Sequence, residues 1–328
     1  MILCITLNPC VDRTLFVDKL DLDKIIPGKR STCIPGGKGN NVARVLKTFG
    51  LPVDSFVLLG GHTGCMVEDM IRQQDKITPI VFWTQGPTRE VVTVVQEDTH
   101  RQVAFKEPGA QVTPSEHKAL LLMLRLLVKE YEWVVFSGSA PCPALEDIYF
   151  DLIEAVRGNG GKAVLDSSGE ALAHGLRAGP FLIKANLDEA GYAVKRRLAN
   201  DEEIWQAARE MQNKKPGLLE LATALTAVAR GFSSSIVAIT AGKEGAYVSR
   251  HDERLRALPP PVQTVNPVGS GDSFLGGMIA GLAGGQPLEA SLRLAMAAGA
   301  ANAAVWDAAT FTMSDVEKLL PQIHIQRA

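Results

Sequence analysis

From about residue 110 onward, amphipathic helical stretches alternate with short stretches that are apolar throughout. A strand that is apolar on both sides must be buried on both sides, which is typical of a parallel sheet covered by helices. We therefore predict an α/β fold in which a doubly wound, mostly parallel sheet has helices on both faces. Four helix–strand pairs carry the pattern, at 115–131 and 133–139, 145–160 and 162–168, 170–179 and 181–186, and 218–231 and 234–240.

Two segments depart from this alternation, at about 12–35 and 80–107. Polar and apolar residues mix along them, as expected for short strands of a sheet with one open face. We interpret them as two insertions that form one small β-sheet, which could close over a cleft as a lid and exclude water. A pair of immobile surface hairpins is the simpler alternative. Residues 195–230 are long for a crossover and are predicted to contain an extra helical excursion.

The composition supports one large domain over residues 1–328 and argues against several classes of function. Hydrophobic residues make up 46% of the chain and charged residues 21%, so a full core is expected. The net charge of −2 predicts neither a nucleic-acid partner nor binding to an anionic membrane. We expect no membrane span and no signal peptide. Five scattered cysteines, without metal-ligand spacing, are typical of a reduced, cytoplasmic protein.

The stretch NPVGSGDSFLGG, residues 266–277, places a glycine-rich turn directly before an apolar helix. PPPVQTV, just before it, is predicted to end a strand. Backbone N–H groups of Gly269, Ser270 and Gly271 can converge at the positive end of the helix, so the turn can bind an anion. A carboxylate there suits phosphoryl transfer, with Asp272 taking the proton of the attacking hydroxyl. Taken alone, the motif favours a simpler role for Asp272, that of a helix cap.

A second glycine-rich stretch, PGGKGNNVARVLKTFG from Pro35, also leads into an amphipathic helix. Lys38 lies among its glycines and offers a positive charge to a phosphate, while Asn40 and Asn41 can bond to sugar hydroxyls. The same residues could instead form a turn and a capped helix. Neither stretch matches the Walker A loop or the dinucleotide-binding fingerprint, so those two nucleotide-binding folds are not predicted.

Together, GGKGNNVARVL and NPVGSGDSFLGGMIAG strongly resemble the two signatures of the PfkB/ribokinase family of carbohydrate kinases. Further segments resemble the phosphosugar branch of that family, so the resemblance covers nearly the whole chain. They are ITLNPCVDRT, LLGGHTG, TRE, EPG, SGSAP, LDSSGEAL and IKANLDE. This branch contains 1-phosphofructokinase, tagatose-6-phosphate kinase and the minor 6-phosphofructokinase.

The resemblance implies a ribokinase-like domain with a β-sheet lid, ATP and Mg²⁺ as cofactors, and a homodimer formed through the lid. It implies phosphorylation of a ketohexose monophosphate. Fructose 1-phosphate is our first choice, because DSSGEALAHGLRAGPFLIKAN is more similar to the 1-phosphofructokinases. Tagatose 6-phosphate is a nearly equal alternative on the similarity of NPVGSGDS and MILCITLNPCVD, and fructose 6-phosphate follows. A sugar-phosphate-binding regulator without catalysis is the alternative of another class, against which the intact Asp272 argues.

The resemblance also assigns site residues by position, although each of them alone could be a turn, a cap or a surface charge. Asp272 matches the catalytic base, and Gly269, Ser270 and Gly271 match the anion hole. The family's residues that bind the sugar and its phosphate correspond to Asp12, Gly37, Lys38, Asn41, Arg89 and Lys29. Its nucleotide-binding residues correspond to Lys184, Thr240, Gly242 and Asn302, the last as a wall beside adenine. Asn186 and Glu189 match the residues that organise Mg²⁺, generally through water.

The chain departs from the phosphosugar branch at three places. KAN, with Ala185 in the middle, stands where Lys-Pro-Asn is frequent, and TAGK stands where Ser-Leu-Gly-Ala is frequent. Val91 stands where an asparagine often follows the lid arginine by two positions. The first two changes are conservative in shape, whereas the third puts one lid hydrogen bond to the sugar in doubt.

Overall fold

The structure is a computed structural model that describes residues 1–21, 23–99, 101–214 and 235–328. Ten strands form one large sheet, in which seven consecutive strands run parallel and each of the other three pairs antiparallel with the strand before it in the chain. In order across the sheet these are β14 (His324–Arg327), β13 (Glu253–Leu258), β12 (Ala246–Arg250), β11 (Ile236–Thr240), β10 (Leu182–Asn186), β9 (Lys162–Asp166), β8 (Trp133–Ser137), β1 (Ile2–Thr6), β4 (Val53–Leu59) and β5 (Pro79–Trp83). The predicted mostly parallel sheet is confirmed.

Helices cover both faces of this sheet, and alternate residues of each central strand enter opposite cores. On β1, Ile2 and Cys4 belong to one core, whereas Leu3 and Ile5 belong to the other. The first core is covered by α1 (Lys38–Thr48), α2 (Gly61–Met70), α8 (Ser270–Ala283), α9 (Leu288–Ala303) and α10 (Met313–Leu319). The second is covered by α3 (Pro114–Leu127), α4 (Ile148–Gly158), α5 (Gly169–Arg177), α6 (Leu187–Val194) and α7 (Asp201–Gln212). This is the predicted doubly wound architecture.

Local sequence signals explain where these helices begin. At the start of α3, the Thr113 side chain accepts a hydrogen bond from the backbone N–H of Glu116, and the Glu116 carboxylate accepts from Thr113 in return. Pro114 occupies the first helical position, where its missing N–H leaves no bond unmade. Helix α7 accounts for part of the predicted excursion at 195–230. The predicted helix at 218–231 lies outside the described residues.

The two predicted insertions meet in a separate four-stranded sheet. Its order is β3 (Arg30–Gly36), β2 (Cys10–Val17), β6 (Arg89–Gln96) and β7 (Gln102–Lys106), with β2 and β6 parallel. Two boundaries were wrong. Residues 80–83 belong to β5, an edge strand of the large sheet, so the second insertion supplies strands only from Arg89 onward. β13 ends at Leu258, so PPPVQTV forms no strand before the glycine-rich turn at 269–271.

The loop at 304–310, which follows α9, joins the small sheet to the body of the protein. The ring of Trp306 packs edge-on against Phe16 of β2, with centroids 5.1 Å apart. The hydroxyl of Thr32 on β3 donates to Oδ1 of Asp307 over 2.8 Å. The same loop therefore contacts two neighbouring strands of the small sheet.

Two further observations concern the cysteines and the membrane. All five cysteines are free, and Cys4, Cys10 and Cys142 are buried. Burial, aided by the charge of Asp12, raises the pKa of Cys10 to about 12, so this thiol stays protonated at neutral pH. Within the described ranges, no helix combines the length and the apolar character needed to cross a bilayer.

Candidate active site

Polar residues collect where the parallel strands of the large sheet end. Thr6 ends β1, Asp166 ends β9, Asn186 ends β10 and Thr240 ends β11, and the last two are directly paired. Helix α1 and helix α8 both begin beside this edge, each after a glycine-rich turn. The carboxyl edge of an open α/β sheet is where such folds bind ligands, which makes it the candidate active site.

Asp272 lies in the first turn of α8 but does not cap the helix. The N-cap is Gly269, with φ of 82°, and no side chain makes a capping hydrogen bond there. The Asp272 side chain is instead buried, and its Oδ2 accepts a hydrogen bond from Nδ2 of Asn41 over 2.7 Å. The simpler interpretation of the motif, a capping aspartate, is therefore wrong.

The surroundings of Asp272 raise the pKa of its carboxyl to about 6. Burial is the largest cause, and the nearby charge of Asp166 acts in the same direction. Lys38, Lys184 and the hydrogen bond from Asn41 lower the pKa and oppose this shift. A carboxylate with a pKa near 6 is ionised at neutral pH yet more basic than an ordinary aspartate, as a general base requires.

Two lysine ammonium groups meet at one buried carboxylate beside Asp272. Nζ of Lys38 lies 3.1 Å from Oδ1 of Asp166, and Nζ of Lys184 lies 3.2 Å from the same oxygen. Lys38 also lies 3.0 Å from Oε1 of Glu189. Burial alone would lower the pKa of Lys38, but the three carboxylates of Asp166, Asp272 and Glu189 raise it, so it is protonated.

Sequence reasoning did not assign a role to Asp166. It was visible as the residue that closes the apolar strand KAVLD, although nothing local showed which side chains would reach it. The carboxyl is fully buried, which on its own would raise its pKa. Lys184 and Lys38 overcome this effect and hold the pKa below its usual range, so Asp166 is an anion at neutral pH.

Asn186 and Glu189 bind each other at the start of α6. The Asn186 side chain accepts from the backbone N–H of Glu189, and Oε2 of Glu189 accepts from the backbone N–H of Asn186, each over 2.8 Å. Asn186 is therefore a helix cap, while Oε1 of Glu189 faces Lys38. In the part of the chain that the structure describes, no group of three metal-binding side chains converges.

The turn before α1 packs closely on β1. A Cβ placed on Gly37 would lie 2.6 Å from Cγ2 of Thr6, so only glycine fits there. Asn40 is buried, donates to the carbonyl of Gly36 and accepts from Thr6, so its amide holds the turn and is not free for a sugar. Of the two predicted asparagines, only Asn41 bonds to the carboxylate of Asp272.

Three charged residues lie on the face of the small sheet that looks toward the body. Asp12 pairs with Val91, and Val91 pairs with Lys106, so their side chains share a face. Arg89 pairs with Cys10 on this face and donates from Nη2 to the carbonyl of Asn8 over 3.3 Å. Lys106 was missed, because an alternating lid strand gives no local sign of which face meets the cleft.

Lys29 is not brought to the site. Its ammonium lies 2.9 Å from Asp18 and 3.3 Å from Glu97, and half of the side chain is exposed. Asp18 follows Asp12 by six residues along an extended strand, a separation of about 20 Å at roughly 3.3 Å per residue. The assignment of Lys29 to the sugar phosphate is therefore not supported by the geometry.

Asn302 lies beneath the glycine-rich turn before α8 and does not face an open cleft. Its side chain is fully buried. Nδ2 donates to the carbonyl of Val268 and to Oγ of Ser270, over 2.8 and 3.0 Å. Oδ1 accepts from Ser273 and from the backbone N–H of Ala309. With these bonds made inside the protein, Asn302 supports the turn and is not a wall beside adenine.

Thr240 and Gly242 occupy the far end of the same edge. Thr240 ends β11 next to Asn186, and Gly242 begins the short turn that follows. A Cβ on Gly242 would meet no atom within 4 Å, so this turn borders open space. These two residues are placed where a ligand at the sheet edge could contact them.

Comparison with known proteins agrees with this geometry. Residues 3–312 match the family described as pfkB family carbohydrate kinase. The chain belongs to the pfkB family. Its fold and its class of chemistry, phosphoryl transfer to an alcohol group, are those predicted from the two glycine-rich motifs.

Among curated pfkB-family relatives, the tagatose-6-phosphate kinase of Staphylococcus epidermidis is 31% identical over 330 residues, covering 99% of each chain. The 1-phosphofructokinase of Bacillus subtilis is 29% identical over 327 residues and covers both chains fully. Among solved structures, the tetrameric inhibited form of phosphofructokinase-2 from Escherichia coli aligns with a TM-score of 0.84. It is 26% identical and covers 98% of each chain.

Proposed function

We propose that this pfkB-family kinase transfers the terminal phosphoryl group of ATP to the free hydroxymethyl group of a ketohexose monophosphate. Fructose 1-phosphate is the first candidate, and tagatose 6-phosphate is the alternative. The observation that carries the proposal is Asp272, a buried carboxylate of raised pKa that directly follows the glycine-rich turn at 269–271. Two curated relatives of full length, each a ketohexose-phosphate kinase by name, support the substrate class.

In the proposed reaction, Asp272 accepts the proton of the substrate hydroxyl as its oxygen attacks the transferred phosphorus. The backbone N–H groups of the 269–271 turn, at the positive end of α8, would stabilise the charge on the phosphoryl oxygens. The ammonium group of Lys184 lies against the same turn, since a Cβ on Gly271 would be 2.8 Å from its Nζ, and it would add a positive charge there. Positioning and electrostatics supply most of the rate enhancement in such a transfer.

Magnesium fits the residues at the start of α6 through water more readily than as a directly ligated ion. Glu189 already shares Oε1 with Lys38 and Oε2 with the backbone of Asn186. These two residues would hold the hydrated ion beside the ATP phosphates, where Mg²⁺ commonly keeps several waters. When bound, the ion would neutralise phosphate charge. Lys184, Thr240 and Gly242 are the candidate contacts of the nucleotide.

The small sheet and the turn before α1 would bind the sugar phosphate. Arg89 and Lys106 supply positive charges on the inner face of the sheet, and Lys38 supplies one from the body. Asp12, on the same face, would accept hydrogen bonds from sugar hydroxyls. An unphosphorylated sugar would offer no anion to the three positive charges of Lys38, Arg89 and Lys106, which disfavours a ribose or nucleoside substrate.

The test is release of ADP from MgATP by the purified protein with four acceptors in parallel. These are fructose 1-phosphate, tagatose 6-phosphate, fructose 6-phosphate and unphosphorylated fructose. Turnover on a phosphosugar, with little on fructose, supports the proposal and decides the substrate. Tight binding of a phosphosugar without any ADP release would favour the non-catalytic regulator instead.

We also propose that the chain forms a homodimer through the outer face of the small sheet and works in the cytoplasm. The apolar side chains on that face include Leu15, Val92, Val94, Val103 and Phe105, of which Phe105 is 59% exposed. Light scattering should give a dimer, and F105E should give a monomer. A wild-type monomer at working concentrations would contradict this assembly.

A further inference from the structure

Asp166 connects two ammonium groups that come from distant parts of the chain. Lys38 stands at the start of α1 and Lys184 inside β10, yet their Nζ atoms lie 3.1 and 3.2 Å from the same oxygen, Oδ1. The aspartate is fully buried and Lys184 is only 3% exposed. Charges buried to this degree persist only when paired, so the three groups stabilise one another.

The two lysines do not depend on Asp166 equally. Lys38 has a second carboxylate, Glu189, at 3.0 Å. Within the described ranges, Asp166 is the only hydrogen-bond partner of Lys184 Nζ. The position of Lys184 is therefore set by Asp166, whereas that of Lys38 has two supports.

Lys184 in turn touches the catalytic turn. A Cβ on Gly271 would lie 2.8 Å from Nζ and 3.3 Å from Cε of this lysine. The ammonium group thus lies against the backbone that the proposed function assigns to the phosphoryl oxygens. A small movement of Lys184 would change the charge at that place, where electrostatic effects on the rate are large.

We infer, on the basis of the proposed function, that Asp166 is a positioning residue for catalysis. It holds the Lys184 ammonium against the Gly271 turn, and it places a fixed negative charge beside Asp272. The hydrogen bonds of Asp166 go to Lys38 and Lys184, so it acts on Asp272 through its charge and on the Gly271 turn through Lys184. The charged and polar groups that face Asp272 are Asp166 from β9, Lys184 from β10, and Lys38 and Asn41 from α1.

Asp166 and Lys184 act in opposite directions on the pKa of Asp272, since the first raises it and the second lowers it. K184Q should therefore raise this pKa from about 6. D166N removes a charge that raises the pKa but also releases Lys184, which lowers it, so in the wild-type background its shift should be small, whereas in the K184Q background it should lower the pKa. If Asp166 did not hold Lys184, D166N would lower the pKa equally in both backgrounds. The pKa of Asp272 can be read without substrate, as the ¹³C carboxyl signal that D272N removes.

The experiment combines this titration with steady-state kinetics for D166N, K184Q and the double variant. We expect kcat to fall about 10- to 100-fold in each single variant, as is common for residues that position a catalytic group, with the phosphosugar KM little changed. The double variant should fall no further than the worse single one, because both remove the same placement of Lys184. D54N is a matched control, since Asp54 bonds Tyr131 near the opposite edge of the sheet.

An Asp272 pKa that K184Q does not raise, or that D166N lowers equally in the wild-type and K184Q backgrounds, would overturn the inference. So would a wild-type kcat in D166N, or losses that add fully in the double variant. Wild-type protein without turnover on any phosphosugar would instead contradict the proposed function. The titration would then still decide the role of Asp166, because it needs no reaction. K184Q keeps the test decisive if D166N does not fold.

Discussion

Asn41 donates from Nδ2 to Oδ2 of Asp272 over 2.7 Å, and both residues are buried. The bond joins the helix after the first glycine-rich turn to the helix after the second. Arg44 fixes the orientation of the Asn41 amide by donating to its Oδ1 over 3.2 Å. One oxygen of the Asp272 carboxylate is thereby occupied, and in the proposed reaction Oδ1 is the oxygen left to receive the substrate proton.

Replacing Asp272 by asparagine should reduce kcat about 10²- to 10⁴-fold, the usual contribution of a general base. The amide keeps the shape of the carboxyl but accepts no proton, so ATP binding should persist. ADP release and calorimetric titration with ATP measure the two effects. D151N, at a half-exposed ion pair with Arg125, is the control and should keep full activity. Near-normal turnover of D272N would contradict the proposed mechanism.

The rate should depend on pH in the range where Asp272 titrates. Its pKa is raised to about 6, so lowering the pH through 6 protonates the base. We expect kcat/KM to fall about tenfold per pH unit below that value, as for loss of a single essential base. The residual rate of D272N should lack this acid limb. A wild-type profile flat down to pH 5 would argue against Asp272 as the base.

G269A should impair both the fold and the reaction. The backbone of Gly269 has φ of 82°, and an added Cβ would lie 2.6 Å from Cβ of Ala308. G285A is the matched control, since Gly285 has φ of 73° but no atom within 4 Å of an added Cβ. Both variants should lose about 1–2 kcal/mol of stability from the left-handed backbone.

Only G269A should lose more stability than this and also lose kcat, because its methyl group displaces the anion-binding turn. Thermal denaturation and ADP release at saturating substrate separate the two contributions. Equal stability and equal activity in the two alanine variants would show that the clash with Ala308 is without consequence.

N302A should lower stability and kcat while leaving ATP affinity unchanged. The substitution removes the bonds to Val268 and Ser270 and leaves the buried backbone N–H of Ala309 unsatisfied, which costs about 1–3 kcal/mol for such a group. Urea denaturation, ADP release and calorimetry with ATP measure the three quantities. A selective loss of ATP affinity would restore the role beside adenine that the sequence suggested.

Arg89 and Lys29 should differ sharply in their effect on the phosphosugar KM. Arg89 lies on the inner face of the small sheet with Asp12, whereas Lys29 pairs with Asp18 and Glu97 at the far end. R89Q should raise this KM at least about tenfold, the effect of losing roughly 1.4 kcal/mol of binding. K29Q should change it little. A larger rise of the phosphosugar KM in K29Q than in R89Q would mean that the small sheet approaches the sugar in another orientation.

The large sheet could be predicted because its central strands are buried on both faces, and each strand's own sequence shows this as a run of apolar residues. KAVLD and FLIKAN contain the uninterrupted apolar runs AVL and FLI, which show no alternation with polar residues. β5 was misassigned although its sequence PIVFW is apolar too, because it shortly precedes the mixed polar and apolar segment from Arg89 onward. It is an edge strand of the large sheet, and its Trp83 is 47% exposed.

The site was predictable where function depends on a local motif and not where it depends on pairing across the chain. The turn at 269–272 is one short segment, so its chemistry could be proposed from the sequence. Asp166 receives its lysines from 128 and 18 residues away, and no local signal marks such a pairing. Asn302 was misplaced similarly, because its partners at 268–273 and 309 become neighbours only in the fold.

The loop at 304–310 has a consequence for protein engineering. Through Trp306 and Asp307 it holds the small sheet, and through Ala309 it holds Asn302 beneath the catalytic turn. A small sheet taken from a relative would therefore not pack on this loop unless the seven loop residues were exchanged together with it. Chimeras that change sugar preference need two crossover regions, one of them close to the C-terminus.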